Sequence, residues 1–196
     1  MAIATRRDPL VFELIKNALA SIADGMAVTV MRTARSFVVK QSMDFSTALL
    51  DPHGELIAQG MCSPLHLGSM PSAFGGVFTR YEGRFEPGDI YVVNDPYSGG
   101  SHLPDIFLFK PIFADGTLIA FAGVIAHQTD IGGRVSGGNA CDNTEIYQEG
   151  LRIPPLKLFE HDVANDTLFS LLAINVRVPD KVLGDVRAQV AALHQG

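Results

Sequence analysis

The chain has 196 residues, 47% of them hydrophobic and 18% charged, a balance that suits one globular domain with a real core. A formal charge of −6 and the lack of clustered Lys and Arg argue against a nucleic-acid surface, because phosphate binding needs concentrated positive charge. A mean hydropathy of +0.20 is slightly high for a soluble monomer, and a buried interface with another chain would account for it.

The start, "MAIATRRDPL", lacks the apolar segment of an export signal. No run approaches the roughly 20 apolar residues of a membrane span, so no membrane association is expected. Cys62 and Cys141 have no C-x-x-C spacing and are expected as reduced thiols of a cytoplasmic protein. The sequon at Asn165-Asp166-Thr167 then carries no meaning.

Asp8-Pro9 is a helix start, an N-cap side chain followed by proline in the first turn. Leu10, Leu14, Ile15, Ala18, Leu19, Ile22, Met26 and Val30 recur at helical spacing, which predicts one long core helix ending near Arg35. Two short apolar runs around Asp51-Pro52-His53-Gly54 predict a hairpin over Phe45–Leu50 and Glu55–Gln59, with His53 solvated at its tip. His66 falls in a compact loop, and a helix begins near Pro71, interrupted by Gly75-Gly76. A short strand is expected at Ile90–Val93. "DIFLFKPIF" and "LIAFAGVIAH" flank Asp115-Gly116, a strong hairpin signal. Residues 131–155 are rich in glycine and polar residues and too long for an ordinary connector. Helices follow near Thr167–Asn175 and Asp180–His194. The fold class is α+β: a long N-terminal helix, antiparallel hairpins and later helices, in one domain over residues 1–196.

"SHLPDIF" and "AHQTDIG" each hold a histidine followed three places on by an aspartate, and they stand at the two ends of the predicted Asp115-Gly116 hairpin. A two-residue turn there would place Asp105 opposite Ala126, and Pro104 opposite His127. His102, Asp105, His127 and Asp130 therefore converge at one open end. Neutral imidazoles and carboxylates suit Zn, Mn or Fe, and two histidines with one carboxylate and open positions form a common catalytic set. Hydrogen bonding to neighbouring loops is the plainer alternative for the same residues.

Other chemistry has less support. There is no G-x-S-x-G elbow and no G-x-x-x-x-G-K-[ST] phosphate loop. "NDPYSGG" could line an anion through its backbone amides, a weak signal.

Taken together, "DFSTALLD", "HLGSMP", "NDPYSGGSHLPDI", "AHQTDIGG", "TEIYQEGLRIPP" and "NVRVPDKVLGDVRAQ" resemble the hydantoinase B/5-oxoprolinase family, in order and with the expected spacing. That family includes N-methylhydantoinase, caprolactamase and related acetone and acetophenone carboxylase subunits. The resemblance implies a B-type component that works with an A-type, actin-like ATPase subunit in a hetero-oligomer. The partner uses ATP and Mg to phosphorylate a small cyclic amide, and a divalent metal on the B-type component assists ring opening. The absence of a phosphate loop here fits that division. Carried over by motif, the implied metal ligands are His102, Asp105 and His127, with Gln41 where many members have a glutamate. An amide carries no charge, so three options stand: weaker binding, substitution by Asp44 or Asp130, or a different metal. Asp130 and Asp44 are the candidate catalytic carboxylates, Asp130 as general base or supporting partner of the metal shell. Asp44 can equally serve as a capping carboxylate.

B-type components are much longer than this chain, and the resemblance covers their leading part. Three readings follow: a component of an ATP-dependent cyclic-amide hydrolase, a subunit of an ATP-dependent ketone carboxylase, or a shortened remnant that binds only partner or metal.

Overall fold

The computed structural model describes residues 8–196, so the reading that Met1–Arg7 carries no export signal lies outside the described residues. In chain order the elements are α1 (Pro9–Thr33), α2 (Phe37–Lys40), β1 (Phe45–Leu50), β2 (Leu56–Gln59), α3 (Met70–Tyr81), β3 (Ile90–Val93), β4 (Asp105–Ala114), β5 (Thr117–His127), β6 (Leu156–Glu160), β7 (Val163–Ala164), α4 (Asp166–Asn175) and α5 (Pro179–Gln195). The strands form one antiparallel sheet in the order β2-β1-β5-β4-β3-β6-β7. The α+β class holds.

Side chains alternate across the sheet and serve two cores. On one face α1, α4 and α5 bury Met26, Val30, Leu168, Val182 and Val186 against Phe45, Ile106, Leu108 and Val124. On the other, α3 buries Phe74 and Val77 against Tyr91, Phe107, Phe109, Phe121 and Ile125. The central strands are therefore apolar on both sides, which is why β4 and β5 read as unbroken hydrophobic runs rather than as alternating ones.

The element starts follow local chemistry. Asp8 caps α1, its Oδ1 accepting from the Leu10 amide at 2.9 Å, with Pro9 in the first turn. Asp51 closes the first hairpin by accepting from the amides of His53 and Glu55 at 2.9 and 2.8 Å, and His53 is exposed. Asn165 caps α4 through the Leu168 amide.

Four features depart from the sequence reading. The first half of α1 is not core: Leu10, Val11, Phe12, Leu14 and Ile15 are all exposed, and burial begins at Ala23. By length and apolarity α1 also meets the criteria for a membrane span, although its second half packs on the sheet and on α5. Next, β6 and β7 lie between the glycine-rich stretch and the first of the late helices, where no strand was expected, and they extend the sheet past β3. The third is α3, which runs through Gly75-Gly76 without a break. The last is the register of the β4–β5 hairpin, which carries a bulge and matters for the site below.

The two glycines of α3 differ in cause. A Cβ on Gly75 would meet nothing within 4 Å, whereas one on Gly76 would run into the Ser98 carbonyl oxygen of the "NDPYSGG" loop. Gly75→Ala should therefore raise stability by about 0.5–1 kcal/mol, the usual helical difference between the two residues. Gly76→Ala should lower it, because the loop must move. Chemical denaturation of the two variants side by side checks the opposite signs.

Candidate metal centre

The β4–β5 turn, Asp115-Gly116, has positive φ at both positions (48° and 75°), the backbone that joins two strands by two residues. Ala114 faces Thr117 and Phe113 faces Leu118, but Ile112 faces Ala120. Ile119 is the extra residue of a β-bulge, and every pair beyond it is shifted by one. Asp105 consequently stands opposite His127 rather than Ala126. This corrects the simple register, which would have put Asp105 and His127 on opposite faces of the sheet.

β1 lies on the other side of β5, with Phe45 opposite Ala126. A bond from the His127 amide to the Asp44 carbonyl, 3.0 Å, carries that ladder one step further. Asp44, His127 and Asp105 thus form a row across the ends of three neighbouring strands. Strand alternation turns the row toward the α3 face, in line with Ser46, Ile125 and Phe107 one layer deeper.

His102 joins the row by a local turn. The Asp105 amide donates to the His102 carbonyl at 3.1 Å, which curls the three-residue spacing and brings His102 Nε2 to 2.9 Å from Asp105 Oδ1. His127 Nδ1 approaches the same oxygen at 3.0 Å. Ser101 Oγ donates to Oδ2 at 2.5 Å. Asn94, fully buried, anchors the approach: its amide nitrogen donates to the carbonyls of Leu103 (2.7 Å) and Leu151 (3.0 Å), and its oxygen accepts from the Ile153 amide (2.6 Å). The "NDPYSGG" and "LRIPP" stretches are thereby tied to the residues that lead into the site.

Asp105 is the floor and the imidazoles are the rim. The Asp105 side chain is 3% exposed, against 19% for His127 and 38% for His102. Burial pushes the Asp105 carboxyl up, but hydrogen bonds from His102, His127 and Ser101 outweigh it and hold the group well below the usual carboxylate range. His102 is raised above its ordinary value, chiefly by its hydrogen bond to Asp105, with burial opposing. An ionised carboxylate thus sits between two imidazoles whose rings are 5.1 Å apart. His102, Asp105 and His127 each present one ligand atom, all within 4.8 Å of one another. Two nitrogens and a charged oxygen converging this way fit a divalent cation such as Zn, Mn or Fe, with the rim open for further ligands.

The other residues singled out from the sequence lie in different places. Asp44 is beside the group, partly exposed, with Oδ1 3.3 Å from His66 Nε2. Gln41 is exposed at the C-terminal end of α2, and among the described residues no hydrogen bond links its side chain to the group. Asp130 is fully buried and ion-paired with Arg177 at 2.9 Å, and it accepts from the Arg177 amide at 2.5 Å. Arg177 also donates to the carbonyls of Gly132, Val135 and Gly133. The second His-x-x-Asp group is therefore split. His127 ends a strand on the α3 face, and the chain then crosses toward α5, where the Gln128 amide reaches Gln189.

His66 was not foreseen. It sits in a short 3-10 turn, Pro64–His66, just before α3, and is 5% exposed. Its Nε2 is 3.3 Å from Asp44 Oδ1 and 3.9 Å from Asp105 Oδ2. Nothing in its spacing from His102 announces this, because the turn and the sheet bring them together from distant parts of the chain.

The hydantoinase B/oxoprolinase family model matches residues 8–196. The chain belongs to the hydantoinase B/oxoprolinase family. Among its relatives is the caprolactamase subunit beta of Pseudomonas jessenii, 38% identical over 189 residues, or 96% of this chain and 32% of that one. The crystal structure of the ATP-dependent caprolactamase from the same organism superposes with a TM-score of 0.89 at 37% identity, over 96% of this chain and 33% of that chain. A nucleotide-free acetone carboxylase superposes with a TM-score of 0.88 at 23% identity, over 96% of this chain and 25% of that chain, and shares the fold. The chain spans about a third of the length of the curated relatives it matches first.

Proposed function

We propose that this chain is the metal-holding part of the B-type component of an ATP-dependent cyclic-amide hydrolase, acting in the cytoplasm beside an A-type ATPase subunit. The observation that carries this reading is the convergence of one ligand atom each from His102, Asp105 and His127 within 4.8 Å, in a chain of the hydantoinase B/oxoprolinase family. The relatives' names speak of caprolactam as substrate and of a beta subunit, hence of a partner.

In this proposal His102, Asp105 and His127 hold a divalent cation, and Asp44 supplies the further oxygen. Asp44 is preferred to Gln41 because it lies in the same row of the sheet and carries charge, whereas Gln41 is exposed at the end of α2. The cation would supply Lewis-acid character toward a carbonyl or phosphoryl oxygen. In the metal-free chain Asp105 keeps both imidazoles oriented by the nitrogens that would turn to the cation, and Asp44, with one oxygen given to the cation, would keep its other oxygen to accept a proton near the rim. Asp130 acts at a distance, holding the glycine-rich loop through Arg177.

The test is a coupled assay. The purified chain is mixed with an A-type subunit, ATP and Mg, and supplied in turn with caprolactam, hydantoin and 5-oxoproline, or with acetone and bicarbonate. Metal-dependent ring opening is the expected result. Bicarbonate-dependent ketone consumption would move the chain to the carboxylase branch. Tight metal binding without turnover of any substrate would leave it a binding module.

A further inference from the structure

We propose that His66 is a positioning residue of the metal centre, orienting the Asp44 carboxylate toward the cation. This rests on the metal-binding reading above and adds a residue to it.

The Asp44 backbone is fixed from both sides: its amide donates to the Val38 carbonyl at 3.1 Å and its carbonyl accepts from the His127 amide at 3.0 Å. Its side chain is not. Among the described residues, His66 is the one side chain within ion-pairing distance of the Asp44 carboxylate. The rotamer of Asp44 is therefore set by where the imidazole stands.

That imidazole is itself buried and braced. Ser69 donates to the His66 carbonyl from its amide (3.1 Å) and from its hydroxyl (2.8 Å), which fixes the backbone turn. Ser46 Oγ lies 3.3 Å from His66 Nδ1 and also bonds the Ser63 carbonyl. Ser46 projects from the start of β1 on the same face as Asp44, so the ring is held from the sheet below and from the turn beside it. Its Nε2 edge is left facing Asp44 Oδ1 and, at 3.9 Å, Asp105 Oδ2. A buried ring braced at one nitrogen, with the other at ion-pairing distance from a candidate ligand carboxylate, is an arrangement by which outer residues orient ligands in metal sites. Packing alone would not require both ring nitrogens to face polar atoms.

Zn affinity of the full chain, read by competition with a chromophoric chelator, tests this together with thermal melts of the metal-free protein. His66→Leu should weaken binding by about 10- to 100-fold, the usual cost of losing an outer-shell partner. His66→Gln, whose amide reaches about as far as Nε2, should recover most of the loss. In an Asp44→Ala background His66→Leu should add almost nothing, since the two act as one unit. Additive effects of the two substitutions, or a lowered melting temperature with unchanged Zn affinity, would make His66 a structural residue and overturn the proposal. If His66→Leu does not fold, His66→Gln and Ser46→Ala carry the same comparison. A failure of the underlying reading looks different: the wild-type chain takes up no Zn, or His102→Ala binds it as well as wild type.

Discussion

Asp105→Ala should abolish metal uptake. Asp105 Oδ1 is the point on which His102 and His127 both converge, and Oδ2 is tied to Ser101. Removing the side chain deletes the charged donor and also releases both rings, so the loss should exceed the ~100-fold at the upper end for an outer-shell partner. Elemental analysis of the purified variant should find almost no Zn, Mn or Fe. Asp105→Asn, which keeps the shape and one oxygen, should fall between. The pH dependence has two opposite parts. In the metal-free chain the depressed Asp105 contributes stability that is present above its unfolded value, ~3.9, and lost as pH falls toward its lowered folded value. The raised His102 contributes stability present below its unfolded value, ~6.5, and lost as pH rises through its folded value. Metal binding runs the other way, since the cation needs His102 neutral: affinity should fall as pH drops through the raised His102 value, with protons released on binding. Asp105→Ala should flatten both profiles.

Arg177→Ala should destabilise the fold by about 2–3 kcal/mol, because it leaves the fully buried Asp130 carboxylate without its cation, while the 44% exposure of the guanidinium keeps the loss below that of a fully buried pair. For a chain of this size that corresponds to roughly 5–10 °C in melting temperature. The effect should be felt in the 131–155 loop, since the same guanidinium holds the carbonyls of Gly132, Gly133 and Val135. Asp130→Asn should be milder, because the amide oxygen still accepts from the Arg177 amide. The pair also separates two roles for Asp130. A structural carboxylate predicts lost stability with Zn affinity of the folded protein retained. A carboxylate acting at the metal predicts the reverse, lost affinity or turnover at unchanged melting temperature.

Much of the local structure was legible in the residues. Asp8-Pro9, Asp51-Pro52-His53-Gly54 and Asp115-Gly116 each determine a helix start or a turn through bonds made within a few residues, and each is found where expected. The His102–Asp105 contact is of this kind, since one turn of chain closes it. The unbroken helix through Gly75-Gly76 was not legible, because Gly76 answers to a loop that packs on it from later in the chain. Nor were β6, whose partner on the sheet is the early strand β3, and β7, which pairs with β6 in turn.

The same division runs through the site. Residue order and turn chemistry were enough to bring two histidines and two aspartates to one end of a hairpin. Which of them meet depended on a single extra residue, Ile119, because side chains alternate with a period of two and a one-residue shift exchanges faces. That shift brought Asp105 to His127, and the crossing of the chain toward α5 took Asp130 to Arg177. Asp44, already a candidate in the sequence, was placed beside the group when β1 paired with β5, and His66 entered only when the turn before α3 folded over the row. Such pairings join segments far apart in sequence and are chosen by burying both faces of the sheet at once, which no short stretch of this chain encodes alone.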